Sequence, residues 1–307
     1  MPVTLPQLSR REFLKRTALA ATLTALAPSV QAGMFGKSRD KHTFVFFSDT
    51  HIAADPAQVY LKGNINVNMT QHLAACVQEL FAWPVKPAAV IVNGDLSYIS
   101  GLPEDYEAFG RLIGPVRAMA PLHLTLGNHD DREHFWQAFP EDTTKEKSVP
   151  QKQVTVLAGD RANWFLLDSL NVPGKPTGLL GPAQLDWLAH ELDARPGKPA
   201  VVMVHHNPQF PTVTSGLLDS AALMEVLAPR RHCKAVIFGH SHDWHIVQHE
   251  SGVHLINLPP TSYPFKEGRP SGWVRATLAR DAMAIELRAL DVNHPEHGQF
   301  QTLKWRV

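Results

Sequence analysis

Five apolar runs in this chain, each short enough for one buried strand, end in residues of the types that bind metals. Thr43–Phe47 (TFVFF) runs into Ser48-Asp49-Thr50-His51, and Ala88–Val92 into Asn93-Gly94-Asp95. Leu122–Leu126 runs into Gly127-Asn128-His129-Asp130. Ala200–Val204 is followed by His205-His206, and Ala235–Phe238 by Gly239-His240-Ser241-His242. Unbroken apolar runs of this length predict strands covered on both faces. Helical patterns lie between them at Asn66–Trp83, which stops at Pro84, and at Pro103–Ala120, Gln184–Leu192 and Ser220–Leu227. Val154–Val156 and Trp164–Leu167 read as further short strands, and from Trp244 onward the pattern turns to short alternating strands (HIVQ, VHLINL, GWVRATL, AMAIELRAL). Strand and helix in alternation, then strands alone, predict α/β units followed by an antiparallel portion, one domain with two sheets. The charged stretch Asp142–Pro150 reads as a solvated loop.

Composition narrows what such a chain does. With 44% hydrophobic and 19% charged residues it is an ordinary globular chain, and disorder is excluded. Lys and Arg total 29 against 29 Asp and Glu, so no stable nucleic-acid partner held by bulk electrostatics is expected. Two cysteines exclude a disulfide scaffold and a four-thiolate zinc site. Cys76 and Cys233 lie in apolar surroundings (HLAACVQEL, RHCKAVIF), which favours two separate buried thiols, with a single disulfide as the alternative in an oxidising compartment. The surplus is histidine, with 17 residues.

The first 32 residues read as an address. Arg10-Arg11-Glu12-Phe13-Leu14-Lys15 precede a mildly apolar run, Thr17–Ala27, and small residues at Val30-Gln31-Ala32. A basic start, a short apolar run and a small-residue cut site describe a signal peptide. The paired arginines resemble a twin-arginine export signal, which implies the twin-arginine machinery as a partner and a periplasmic or secreted location. The run is too short and too weakly apolar to span a bilayer, and no other segment approaches a membrane span. Residues 33–42 are then a leader, and 43–307 one domain.

The strand ends suit a particular chemistry. Two divalent ions about 3.5–4 Å apart need a bridging carboxylate, with imidazoles and oxygens completing each shell. Asp-x-His and His-x-His at strand ends let neighbouring side chains address one ion or two adjacent ones. Gly94, Gly127 and Gly239 let the backbone turn tightly beside them. Mixed His, carboxylate and amide donors suit Mn, Fe or Zn rather than Ca. A lone Asp-x-His is more often a helix cap or turn, and only the five ends together carry the argument.

The set Asp49-Thr50-His51, Gly94-Asp95, Gly127-Asn128-His129-Asp130, Val202-Met203-Val204-His205 and Gly239-His240-Ser241-His242 resembles the calcineurin-like metallophosphoesterase superfamily, over about residues 43–260. Asn128-His129-Asp130-Asp131-Arg132, Leu167-Asp168-Ser169-Leu170 and Gly181–Leu188 further resemble its class III cyclic-nucleotide phosphodiesterase and glycerophosphodiesterase branch. The resemblance implies a four-layer α/β/β/α sandwich of two mixed sheets, with the site at the strand carboxyl ends. It implies two metal ions, divalent or trivalent. Asp49, His51 and His242 would hold one, Asn128, His205 and His240 the other, and Asp95 would bridge both. His129 would contact a phosphoryl oxygen or the leaving group, with Asp130 orienting it. His206, which follows the ligand His205, is either a neutral residue behind the ligands or a substrate contact. Gly94-Asp95-Leu96-Ser97-Tyr98 also fits a motif of purple acid phosphatases, in which the tyrosine binds iron. Here His51 competes for that position, which leaves Tyr98 as a pocket wall or a core aromatic.

The activity so implied is hydrolysis of a small-molecule phosphodiester by direct attack of a metal-bridging hydroxide, with no Ser or Cys nucleophile. A phosphomonoesterase or nuclease on the same fold is the alternative, and a non-catalytic binding protein a remote one. No Arg or Lys lies within the five motifs, Arg132 being the nearest, and this leans toward diesters. Tyr263, in the loop Asn257–Phe265, is a candidate for stacking on a base or other flat group. That loop also reads as a plain proline-rich turn. Asn64 and Asn66 read as caps of the following helix or as substrate contacts.

Overall fold

The computed structural model describes residues 39–143 and 148–307. The expected signal peptide and most of the leader lie outside them. Where the description begins, Arg39 bridges to Lys86 and the Asp40 amide donates to the Lys86 carbonyl at 2.9 Å. Among the described residues no helix is long and apolar enough to cross a membrane.

Two six-stranded mixed sheets carry the fold. In the first, β1 (Thr43–Phe47), β4 (Ala89–Asn93) and β5 (Leu122–Thr125) run parallel, and β12 (Gly272–Leu278), β13 (Ala282–Ala289) and β14 (Phe300–Lys304) extend it antiparallel in the order β14-β13-β12-β1-β4-β5. In the second, β7 (Asn163–Leu166), β8 (Ala200–Met203), β9 (Cys233–Phe238) and β11 (His254–Asn257) are parallel. Antiparallel β6 (Thr155–Ala158) and β10 (His245–Gln248) edge that sheet, in the order β10-β11-β9-β8-β7-β6.

Side-chain alternation sorts each strand between two cores. Phe44 and Phe46 face the space between the sheets, where they meet Trp164, Met203, Ile237 and Ile285. Val45 and Phe47 face the helices α1 (Met69–Ala82), α2 (Pro103–Arg117) and α3 (Arg132–Ala138), packing with Leu73, Phe109 and Phe135. Phe165, Val202 and Val236 of the second sheet pack against α4 (Pro182–Asp193) and α5 (Ser220–Leu227). The result is the expected α/β/β/α sandwich. It explains why the central strands are apolar at every position: each has a core on both faces. Cys76 and Cys233 are free and buried in different cores.

Three elements depart from the sequence reading. Residues taken for the start of the first helix belong to a hairpin, β2 (Val59–Lys62) with β3 (Ile65–Asn68), closed by Gly63 at φ 58° and Asn64. Asn66 pairs with Leu61 in that hairpin, and Asn68 is the cap, its side chain accepting from the Gln71 amide at 2.8 Å. The short helix α3 follows its own cap, Asp131, which accepts from the His134 amide at 3.0 Å. Strand β14 sits on a sheet edge with only Leu303 buried, so it shows no apolar period to read.

Candidate metal centre

Every predicted ligand sits just past the carboxyl end of a parallel strand: Asp49 and His51 after β1, Asp95 after β4, Asn128 after β5, His205 after β8, His240 and His242 after β9. Backbone hydrogen bonds tie these loops together. The Asp49 amide donates to the Gly94 carbonyl at 3.1 Å and the His51 amide to the Asp95 carbonyl at 3.0 Å. Across the sheets, the Gly239 amide donates to the His205 carbonyl at 3.0 Å, and the His240 amide to the Asp49 carboxylate at 3.0 Å. Gly94 sits at φ 77°, which favours glycine. Gly127 is there for space instead of for a turn: a Cβ on it would lie 2.2 Å from Asp95 Oδ1.

Asp49, His51, Asp95 and His242 bring donor atoms within 4.8 Å of one another, and Asp95, His205 and His240 do the same. Asp95 belongs to both groups. Its Oδ2 lies 3.2 Å from His205 Nε2 and 3.6 Å from His51 Nε2, while Asp49 Oδ1 lies 3.4 Å from His242 Nε2.

Each imidazole is anchored through one ring nitrogen, Nδ1 in three of them and Nε2 in His240. His51 Nδ1 donates to the Tyr98 carbonyl (3.3 Å), His205 Nδ1 to Asn93 (2.8 Å), His242 Nδ1 to Tyr263 (2.5 Å) and His240 Nε2 to Ser215 (2.7 Å). A carbonyl oxygen only accepts, so each of these nitrogens carries the proton and the other presents a lone pair. His51 Nε2 and His242 Nε2 therefore face each other, 3.0 Å apart, as two lone pairs. That arrangement is repulsive in a protein interior unless a cation sits with them. Asn128 Oδ1 is likewise buried with no protein partner. The donor set fits two metal ions on these observations, with Asp95 common to both.

The electrostatics agree. Burial pushes His51 down to about 3 and His240 down to about 4, so both stay neutral donors at neutral pH. Burial raises Asp49 to about 7, and the charge of Asp95 adds to this. Burial also opposes ionisation of Asp95, but His205 and His129 outweigh it and hold that carboxyl well below its usual range. On His205 burial opposes a charge, yet Asp95 and Asp49 prevail and lift it to about 10. The carboxylates demand positive charge at that spot, and a metal ion meets the demand with His205 as a neutral donor through Nε2.

The remaining candidates fall differently. His129 lines the same cavity, of about 360 Å³, with its Nδ1 buried and unpartnered and its amide donating to Asp95 Oδ1 at 2.8 Å. Asp130 does not orient the His129 ring. It is fully buried and accepts from the amides of Gly127, Leu96 and Ser97 and from the Tyr106 hydroxyl, fastening two ligand loops together. Burial raises it to about 6. His206 packs behind His205 and His240, its Nδ1 taking the Ser169 hydroxyl at 2.7 Å, and burial keeps it neutral.

Of the four expected substrate contacts, His206, Arg132 and Tyr98 stand off the cavity, and Tyr263 borders it. Arg132 makes a bidentate ion pair with buried Asp168, at 2.7 and 2.9 Å, and does not line the cavity. Tyr98 packs on the helix-side core with its hydroxyl accepting from Gln58 at 3.1 Å, so it is a core aromatic. Tyr263 does line the cavity, but it is 7% exposed, with the Tyr60 ring stacked on it at 3.6 Å and the rings of His51 and His242 at 5.2 and 4.7 Å, so little of it is left for a ligand. The cavity residues Pro176, Asn207, Gln209 and Phe265 were not singled out from the sequence. They come from loops far apart in the chain, and no local pattern marks them.

Comparison with known proteins adds the family. The calcineurin-like phosphoesterase profile matches residues 42–244. A probable cyclic nucleotide phosphodiesterase of Rhodococcus erythropolis is 32% identical over 212 residues, 66% of this chain and 66% of that protein. The 3′,5′-cyclic adenosine monophosphate phosphodiesterase CpdA of Pseudomonas aeruginosa is 29% identical over 231 residues, 73% of this chain and 78% of its own. Among solved structures, a dimetal phosphatase from Danio rerio superposes with a TM-score of 0.64 at 15% identity, covering 86% of this chain and 99% of that one, a likeness of fold.

Proposed function

The chain belongs to the calcineurin-like phosphoesterase family, and on that footing we propose that it hydrolyses small phosphodiesters of the cyclic-nucleotide kind. The observation that carries the reading is the pair of donor groups sharing Asp95, with the lone pairs of His51 and His242 turned toward each other. Asp49, His51 and His242 would hold one ion and Asn128, His205 and His240 the other. When bound, such a pair makes water acidic enough to ionise near neutral pH and gives a phosphoryl oxygen an electropositive seat.

The protein's own groups do the rest. His129 presents its ring to the phosphoryl oxygens or the departing alkoxide, and its amide steadies Asp95. The fixed loops keep donors aimed where charge develops, so little reorganisation is needed at the moment of reaction. Ser215 and Ser241 line the cavity, and direct attack by a metal-activated hydroxide would need neither as a nucleophile. Cys76 and Cys233 are far down in the cores, and burial raises both thiols, to about 12 for Cys233.

Two observations favour diesters. Among the described residues no Lys or Arg lines the cavity, so a monoester dianion would find no extra cation there. The curated relatives named above are cyclic nucleotide phosphodiesterases. The test is turnover by residues 33–307 loaded with manganese, with bis-p-nitrophenyl phosphate and p-nitrophenyl phosphate side by side. Preference for the diester is expected. Preference for the monoester would move the reading to a phosphatase.

Export belongs to the same proposal, supported by Arg10-Arg11, the run Thr17–Ala27 and the cut site at Val30-Gln31-Ala32. A route that carries folded proteins suits a chain whose metal ligands converge only after folding. Replacing both arginines by lysine should leave the uncleaved chain inside the cell, and normal export of that variant would defeat this part.

A further inference from the structure

We infer that Phe265 is the platform on which the base of a cyclic-nucleotide substrate stacks, which makes it a residue that sets the preference for diesters carrying a heteroaromatic base over base-free ones. The inference rests on the phosphodiesterase reading. Phe265 borders the metal-centre cavity, and its ring lies parallel to that of His242, 4.0 Å away with 7° between the planes. It is nevertheless 44% exposed. Its ring neighbours among the described residues are His242 on one face and Tyr263, tilted at 6.2 Å. Its exposed surface and its place on the cavity wall leave ring area free for a ligand.

The contrast with Tyr263 decides which aromatic can serve. Tyr263 also borders the cavity but is 7% exposed, with Tyr60 stacked on it and the His242 ring at 4.7 Å, so it has little area to offer a base. Phe265 needs no rearrangement. Its partner His242 is itself held by the Tyr263 carbonyl, so the platform is fixed relative to the ligand that addresses the ion. A ring immobilised in advance loses little freedom on binding. An imidazole that donates to a cation becomes electron-poor, and the phenyl face above it is attracted to that charge. The outward face then meets a base by ordinary stacking, which every nucleobase can supply. The cavity, at about 360 Å³, is of small-molecule size. Besides its histidines, Pro176, Tyr263 and Phe265 are its apolar or aromatic lining, and of these Phe265 offers the most exposed aromatic ring.

The test compares the wild-type manganese-loaded protein with Phe265→Ala, Phe265→Leu and Phe265→Tyr. The substrates are cyclic AMP and the base-free diester glycerophosphoethanolamine. Phe265→Ala and Phe265→Leu should each raise KM for cyclic AMP about tenfold. The preference for cyclic AMP, as a ratio of kcat/KM values, should fall by a similar factor, and Phe265→Tyr should restore both. Phe265→Leu keeps an apolar cover on His242, so it separates loss of the ring from disturbance of the ligand, and metal content is measured in every variant. Calorimetry with AMP against inorganic phosphate repeats the comparison without turnover, and only AMP should weaken. Equal losses for both diesters, or an unchanged KM for cyclic AMP, would overturn the stacking role. If the wild-type protein turns over neither diester, the phosphodiesterase reading fails, and the calorimetry still decides whether Phe265 holds a base.

Discussion

The two ends of the parallel strands are built differently. At the carboxyl ends, Asp49 (φ 53°), His51 (48°), Asp95 (50°), His240 (67°) and His242 (50°) all sit in the left-handed region. Among the described residues the one other non-glycine at positive φ is Gln151, at 58°. At the opposite ends plain backbone links suffice: the Ala88 amide donates to Thr43 and the Ala200 amide to His232, each at 2.7 Å. Left-handed backbone costs a residue with a Cβ on the order of 1–2 kcal/mol. Five of the six such residues are predicted metal ligands, so the strain falls where side chains from separate loops must turn toward one point. Fold stability and metal binding should therefore be coupled at one end of the molecule and independent at the other.

The largest effect should come from Asp95→Ala, which removes the shared ligand and lowers turnover at least about 100-fold. Metal analysis should find both ions depleted. A metal-replete variant with near wild-type turnover would break the contrast outright. Chelation comes next. Ions at 1,000 times their Kd stabilise the folded state by about 4 kcal/mol, or roughly 10 °C in Tm for a chain of this size. The same chelator should leave the Tm of Asp95→Ala nearly unmoved.

Arg132→Ala tests the contrast from the side of the scaffold. Leaving Asp168 buried without its cation should cost about 3 kcal/mol in unfolding measurements. The KM should stay within about threefold, because Arg132 supports the loop and not the substrate. A KM rise with no loss of stability would return Arg132 to the binding site.

Acidity gives a smaller signal. In metal-free protein, His51 (about 3) and His240 (about 4) lie below their unfolded value, so their contribution is present above pH 6.5 and is lost as pH falls. Asp49 (about 7) and His205 (about 10) lie above their unfolded values, so their contribution is present at low pH and is lost as pH rises through 7 and 10. Metal-free stability should peak near pH 6.5, and urea titrations showing a steady trend from pH 5 to 9 would contradict this. The smallest effect should follow Lys198→Ala at the amino ends, where an exposed ammonium caps the Gly159 carbonyl at 2.9 Å. Stability there should move by no more than about 0.5 kcal/mol.

The legible part of the molecule was its central strands and their ends. A strand buried on both faces has no choice but to be apolar, and a ligand at its end stands out against that background. The hairpin before α1 was less visible because its side chains are mostly exposed or half-buried, although Gly63-Asn64 between alternating residues is a recognisable two-residue turn. The fates of Tyr263 and Phe265 were not legible at all. Both are aromatics in one loop, and only the docking of Tyr60 from 200 residues away decides which of them is covered. Arg132 misled for a similar reason, since its partner Asp168 lies on another loop.

One consequence follows from the carbonyl oxygens that hold the four imidazoles. These acceptors belong to Tyr98, Asn93, Tyr263 and Ser215 only as positions in the chain, since every amino acid has the same carbonyl. No point substitution can delete them. The aim of the histidines is thus inherited through loop shape, and where such a position also borders the cavity, as Ser215 does, its side chain remains available for natural variation or laboratory selection to reshape the pocket.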